Sequence, residues 1–238
     1  MPTPQSPSFR PALALVLVAL LASCLGPSRP QPQHRNRAHT AAHANAHRGP
    51  QAIPRPTSAQ GESCLADLRG AHDTFLRLDD RDYGNGCYRA NAIDLRGVPG
   101  DDRLVMVSNL PVVSCSMARG FTGWTRFGAG RAALQILGSP LVRVETFGSY
   151  SCRNVAGSDR LSAHASANAI DVSGFALADG RRITVLGDWN NPDPAVRQFL
   201  RVVRASACKR FGTVLSPDYN AAHRDHLHVE LGDGRFCH

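Results

Sequence analysis

Polar and apolar residues alternate in Ala169-Ile-Asp-Val-Ser173 and again in His226-Leu-His-Val-Glu-Leu231, a period of two that reads as two strands. Ile170 and Val172 in one run, and Leu227, Val229 and Leu231 in the other, then face a core. His226 and His228 share the opposite face of their strand, and Asp171 projects away from the core on its own. His164 lies in the turn or loop ahead of the first strand, close enough in sequence to fold back toward Asp171.

Two imidazoles and one carboxylate converging from neighbouring strands make a three-ligand set for a zinc ion at roughly 2.0–2.2 Å, with a fourth position left for water. Closed structural zinc sites use four protein ligands, often thiolates, whereas a His/His/Asp set is typical of hydrolytic centres. A lone His-x-His is weak evidence and fits surface histidines on an edge strand equally well. Here four of the ten histidines fall within Ser162–Asp171 and His223–His228, with an apolar strand behind each group, and that concentration favours a metal.

Ser162-x-His164-x6-Asp171 followed by His-x-His on a later strand resembles the LAS group of zinc peptidases, which includes D-alanyl-D-alanine carboxypeptidases and the penicillin-insensitive murein endopeptidase. More closely, Tyr150-Ser-Cys-Arg153, Ser162–Phe175 and Asn220-Ala-Ala-His-Arg-Asp-His-Leu-His228 resemble the bacterial extensin-like C-terminal domain family, over about residues 62 to 238. The resemblance implies that His164, Asp171 and His228 are the zinc ligands and that His226 is the general base. His223 matches a further active-site histidine of the murein endopeptidase pattern. Ala167 stands where the wider group usually has Gly, and His226 stands where that group often has Glu. The implied activity is hydrolysis of an amide in peptidoglycan peptides, of DD-endopeptidase or DD-carboxypeptidase type. A non-catalytic zinc-containing envelope module is the alternative, since hedgehog proteins keep a similar site without established peptidase activity. A plant-type structural extensin is disfavoured, because its long Ser-Pro repeats are missing.

The chain opens with Arg10 and an apolar run, Ala12 to Ala22, too short to span a bilayer and suited to an export signal. It ends in Leu21-Ala-Ser-Cys24, which resembles a lipobox, so residues 1–24 are expected to be a lipoprotein-type signal peptide with Cys24 as the lipidated residue. This predicts an exported protein, periplasmic or in the cell envelope, anchored to a membrane through its N-terminus. Residues 25–61, rich in Pro, Arg and His without apolar periodicity, read as a disordered linker. His34, His39, His43 and His47 fall in it and are read as linker composition rather than as a metal site.

A net charge of +8 raises the possibility of nucleic-acid binding, but six of the 27 Lys and Arg and none of the 19 acids lie in residues 1–60. The remainder holds 21 basic against 19 acidic residues, so the excess belongs to leader and linker. That argues against nucleic acid and for an anionic envelope surface. With Cys24 set aside six cysteines remain and none forms Cys-x-x-Cys, which suits three disulfides in an oxidising compartment. Nearest-neighbour pairing is expected: Cys64 with Cys87, Cys115 with Cys152, Cys208 with Cys237.

Residues 62–238 suffice for one domain with a sizeable core. Residues 63–78 read as a helix with Leu65, Leu68, His72, Phe75 and Leu76 on one face, His72 being a surface or core histidine rather than a ligand. Tyr83-Gly-Asn-Gly-Cys87 is a turn, Leu104–Val107 a short strand, and Ser116–Leu137 partly helical with Met117, Phe121, Trp124 and Phe127 as core. Leu141–Phe147 reads as a strand, followed by a loop from which Arg153 can face the metal and bind a substrate carboxylate or the developing oxyanion. A turn at Ala178–Arg181 leads to a strand at Ile183–Leu186. Asp193-Pro194 then opens a helix with Val196, Phe199, Leu200 and Val203 inward, and Gly212–Ser216 forms a strand. Separate helices and an antiparallel sheet make the expected class α+β, and the resemblance implies the LAS peptidase fold.

Overall fold

The computed structural model describes residues 58–238. The expected leader with Cys24, and the linker through residue 57 with its four histidines, lie outside the described residues. Ser58–Gly70 forms helix α1 with Gly61, Cys64, Leu65 and Leu68 buried.

Helix α1 ends well short of residue 78. His72 adopts φ 67°, its N–H bonds Arg69 O at 3.0 Å, and Asp73 N–H bonds Leu68 O at 3.0 Å, the paired closure of a helix C-terminus through one left-handed residue. His72 is therefore an exposed turn residue rather than a helical one. Phe75 and Leu76 belong instead to strand β1 (Thr74–Arg77). β2 (Arg81–Gly84) and β3 (Cys87–Arg89) form a separate hairpin around Gly84, Asn85 and Gly86, all at positive φ.

Strands β4 (Ala92–Pro99), β5 (Leu104–Ser108) and β6 (Val113–Ser114) lead to α2 (Cys115–Trp124). A π-helical stretch, Thr125–Gly130, joins α2 to α3 (Arg131–Leu137). Met117, Phe121 and Trp124 are buried as expected, but Phe127 is 48% exposed. It lies in the π-helical turn, where the wider winding breaks the spacing that would keep it on the buried stripe, and the Arg126 and Arg131 guanidinium groups lie 5.0 and 4.7 Å from its ring centre.

Next come β7 (Leu141–Gly148), a short 3-10 turn at Ala163–Ser166, β8 (Ala169–Leu177) and β9 (Arg182–Thr184). The expected strand at 183–186 stops at Thr184, whose side chain accepts from Gly187 N–H and caps α4 (Val185–Asp188). Asp193 caps α5 (Pro194–Cys208), with proline in its first turn and Val196, Phe199, Leu200 and Val203 buried. β10 (Thr213–Leu215), a 3-10 turn at Ala221–His223, β11 (Leu227–Glu230) and β12 (Phe236–Cys237) complete the order.

The main sheet runs β1-β4-β5-β7-β8-β11-β10-β12, with β6 on β4 and β9 on β8. The α+β class holds, but the sheet is mixed rather than antiparallel: β5 pairs β7 in parallel, as β10 pairs β12. The first parallel pair follows from the helical segment α2–α3, since a crossover of that length can return the chain in the same direction as β5. Trp124 anchors the core, meeting Phe175 of β8 and Phe211 at ring distances of 6.3 Å, while its N–H donates to Ser206 Oγ at 3.0 Å. Ile170, Val172, Leu227 and Val229 are fully buried in the same cluster, which commits the other side of β8 and β11 to Asp171 and His228.

Two of the three expected disulfides are wrong. The bonds are Cys64–Cys115, Cys87–Cys152 and Cys208–Cys237. Packing rather than proximity in sequence decides: α1 lies on α2 and brings Cys64 to the start of that helix, while β3 lies against the 3-10 turn at Ala163 and the loop before it. Peptide mapping of the unreduced protein is expected to recover Cys64 joined to Cys115 and Cys87 joined to Cys152. Replacing both Cys64 and Cys115 by Ser should lower unfolding free energy in a denaturant titration by about 2–4 kcal/mol, the usual range for closing loops of this size.

Candidate metal centre

β8 and β11 pair antiparallel with His228 directly opposite Asp171, flanked by Leu227 opposite Val172 and Val229 opposite Ile170. Residues facing each other across an antiparallel pair put their side chains on the same face. Thus the register that joins the apolar partners on one face brings imidazole and carboxylate together on the other. His164 arrives from the 3-10 turn, where Ser162 Oγ accepts its N–H. Ala167 then reverses the chain at φ 54°, a left-handed conformation that explains why glycine suits this position, before β8 begins.

His164 Nε2 lies 3.2 Å from His228 Nδ1 and 3.3 Å from Asp171 Oδ2, and His228 Nδ1 lies 2.9 Å from Asp171 Oδ1. Ligand atoms about 2.0–2.1 Å from a tetrahedral ion stand roughly 3.3 Å apart, so these three atoms have the spacing of one face of such a tetrahedron. Among the described residues this is the one group of three His, Cys, Asp or Glu side chains with ligand atoms mutually within 4.8 Å.

The far side of each ring is pinned. His164 Nδ1 meets Ser149 O at 2.5 Å, and a carbonyl only accepts, so Nδ1 carries the proton and Nε2 presents a lone pair to the site. His228 Nε2 donates to Glu230 Oε2 at 3.2 Å, which leaves Nδ1 to face inward. Outer partners of this kind are the usual means of orienting metal-ligating histidines.

The electrostatics point the same way. Burial would raise the Asp171 carboxyl, but the imidazoles around it, His164 and His228 above all, outweigh burial and hold the group well below the usual carboxylate range. Burial would lower His228, but Asp171 and Glu230 on its two nitrogens push it up to about 9. Without a metal, the Nδ1 proton of His228 is the positive charge that the carboxylate and the His164 lone pair surround. A divalent cation bound between these groups would take the place of that proton.

The other expected site residues are placed as follows. His226 Nδ1 donates to Asp225 Oδ1 at 2.8 Å, and its Nε2 lies 3.5 Å from Asp171 Oδ1, beside the ligands but not among them. His223 sits with its ring centre 5.1 Å from that of His226 and 6.0 Å from that of His228. Its Nδ1 meets Asn220 Oδ1 at 2.7 Å, and burial together with the two neighbouring histidines pushes it down to about 4. Arg153 is exposed and makes no ion pair among the described residues. Its guanidinium reaches the Asn154 carbonyl at 3.4 Å, and it acts on His223 through its charge rather than by contact. A cleft of about 570 Å³ beside Ala59, Ser63, Ser114 and Arg119 contains none of these groups.

Ser149, Asn220, Asp225 and Glu230 were missed from the sequence. Glu230 was within reach of the same period-two reading, since it follows His226 and His228 on one face, and Asp225 adjoins His226. Ser149 acts through its backbone, for which no sequence signal exists.

The family model described as Extensin-like protein C-terminus matches residues 62–238. No curated protein sequence and no solved structure matches the chain.

Because a proton on His228 competes with the metal up to a pKa of about 9, apparent zinc affinity should rise roughly tenfold per pH unit from neutrality toward 9 and level off above it. Titration calorimetry at neutral pH in buffers of different ionisation enthalpy should register proton release, and unchanged proton release with unchanged affinity in a Glu230→Gln protein would contradict the pinning of Nε2. That variant is expected to bind zinc about 10–100-fold more weakly in chelator competition.

Proposed function

We propose that the chain, which belongs to the extensin-like protein C-terminus family, is a zinc-dependent peptidase that hydrolyses an amide bond in peptidoglycan peptides, of DD-endopeptidase or DD-carboxypeptidase type. The observation that carries this reading is the set of three inward-facing ligand atoms, His164 Nε2, His228 Nδ1 and an Asp171 oxygen, at the spacings of a tetrahedral face with both rings pinned from behind. The resemblance of the same residues to the LAS zinc peptidases supports the choice of metal and reaction, and so does a donor set of nitrogen and oxygen without thiolate.

When bound, zinc supplies a Lewis acid and lowers the pKa of a coordinated water toward neutrality. The chain supplies the proton handling. His226 is held by Asp225 with Nδ1 protonated, so Nε2 is the base that takes a proton from the attacking water. The Asp225 carboxylate stabilises the imidazolium that results, and His226 then gives the proton to the leaving amine. Arg153, exposed and without an acidic partner among the described residues, offers a planar cation to a substrate carboxylate.

The expected export signal and Cys24 put this chemistry in the periplasm or envelope, anchored to a membrane, where peptidoglycan is the abundant amide polymer. The second reading, a zinc-containing binding module without turnover, accounts for the three ligands but leaves the Asp225–His226 pair without a task.

Incubating the zinc-loaded protein with defined muropeptides and identifying products by mass decides between them. Cleavage lost on chelation and restored by zinc is expected, whereas retained wall binding with intact muropeptides would establish the binding module. Asp171→Ala should lose both metal and turnover. His226→Ala should keep stoichiometric zinc by metal analysis while kcat falls by about 10²–10⁴, and unchanged turnover would remove His226 as the base.

A further inference from the structure

His223 and His226 lie side by side at the rim of the centre, yet their outer partners differ in kind. His226 leans on the Asp225 carboxylate. His223 leans on the side-chain oxygen of Asn220. That oxygen is identified by a second contact: it accepts the backbone N–H of Ala222 at 3.0 Å, as the cap of the 3-10 turn Ala221–His223. An amide nitrogen in that place would set donor against donor. The Asn220 atom facing His223 is therefore an acceptor, His223 Nδ1 must carry the proton, and Nε2 must present a lone pair.

We propose that Asn220 locks His223 as a neutral hydrogen-bond acceptor whose Nε2 binds an N–H of the substrate, and that His223 takes no part in proton transfer or in stabilising an oxyanion. This inference rests on the peptidase reading for the identity of the ligand, though not for the tautomer. An oxyanion needs a donor, and Nε2 in this tautomer has none to offer. The rings of His226 and His228 pack beside that of His223, their centres 5.1 and 6.0 Å away. Tyr219, whose ring centre is 5.6 Å from that of His223, and the backbone of the 3-10 turn limit the ring's freedom to flip. The free nitrogen needs a donor, and the donors a wall peptide brings to the centre include the secondary amide N–H groups of its backbone. A ligand whose nearest amide nitrogen is alkylated leaves Nε2 desolvated and unpaired.

Asn220 is thus a positioning residue and His223 a specificity residue. The test uses the zinc-loaded protein. Nitrogen-15 NMR of the histidine rings should show His223 with Nδ1 protonated and Nε2 bare. Equilibrium binding of a wall peptide and of its analogue N-methylated at the amide beside the scissile bond should differ by about 10-fold or more in the native protein, and by less than 3-fold in Asn220→Ala and His223→Ala, in keeping with one hydrogen bond. Zinc content should be unchanged in both variants. For a peptide that is cleaved, Asn220→Ala should raise KM and leave kcat within about 2-fold, the mark of lost binding rather than lost chemistry. A His223 ring protonated at Nε2, or equal discrimination against N-methylation in the native protein and the variants, overturns the proposal. If no muropeptide is cleaved the peptidase reading fails, while the NMR and binding measurements still decide the role of His223.

Discussion

The pairing of β8 with β11 in one register is the contact on which the centre depends. Two apolar pairs, Leu227 with Val172 and Val229 with Ile170, hold that register from the core side. A slip of one residue would expose these four side chains and bury the carboxylate and the imidazole where no partner could reach them. The hydrophobic effect therefore sets the ligand geometry, although no apolar atom belongs to the ligand set. The stability of the core and the spacing of the donors are one property seen from the two faces of a single sheet.

Around this pair the structure arranges four histidines by one device, a fixed acceptor behind each ring. The acceptors are a carbonyl for His164, a carboxylate for His228, a carboxylate for His226 and a side-chain amide for His223. The rings of His164, His228 and His226 turn their other nitrogen toward Asp171, and the outer partner differs in kind among the four. An imidazole paired with a carboxylate tolerates positive charge, and one paired with a neutral amide does not. The sorting of roles among chemically identical side chains thus rests on residues that a ligand would never touch.

Much of this was legible in the order of residues. Period-two alternation located β8 and β11 and the faces of Asp171 and His228, and Asp193-Pro194 located the start of α5. What escaped was decided by packing over long separations. Cys64 prefers Cys115 to the nearer Cys87 because α1 lies on α2, and β5 runs parallel to β7 because two helices carry the chain between them. Phe127 fits a helical stripe on paper and leaves the core because the winding changes after Trp124. Residues 71–77 look helical by spacing, but Gly70 and a left-handed His72 end the helix and β4 offers a strand partner.

The bond between Cys87 and Cys152 carries a consequence for the way the centre comes into being. It ties the loop bearing Ser149 to the β2–β3 hairpin across 65 residues of sequence, and Ser149 is what keeps the His164 lone pair aimed inward. Before the two thiols are oxidised that loop is held by weaker contacts alone, so the aim of the His164 lone pair matures with covalent closure. Such a chain completes the geometry of its centre late in its biogenesis, after thiol chemistry and not merely after collapse.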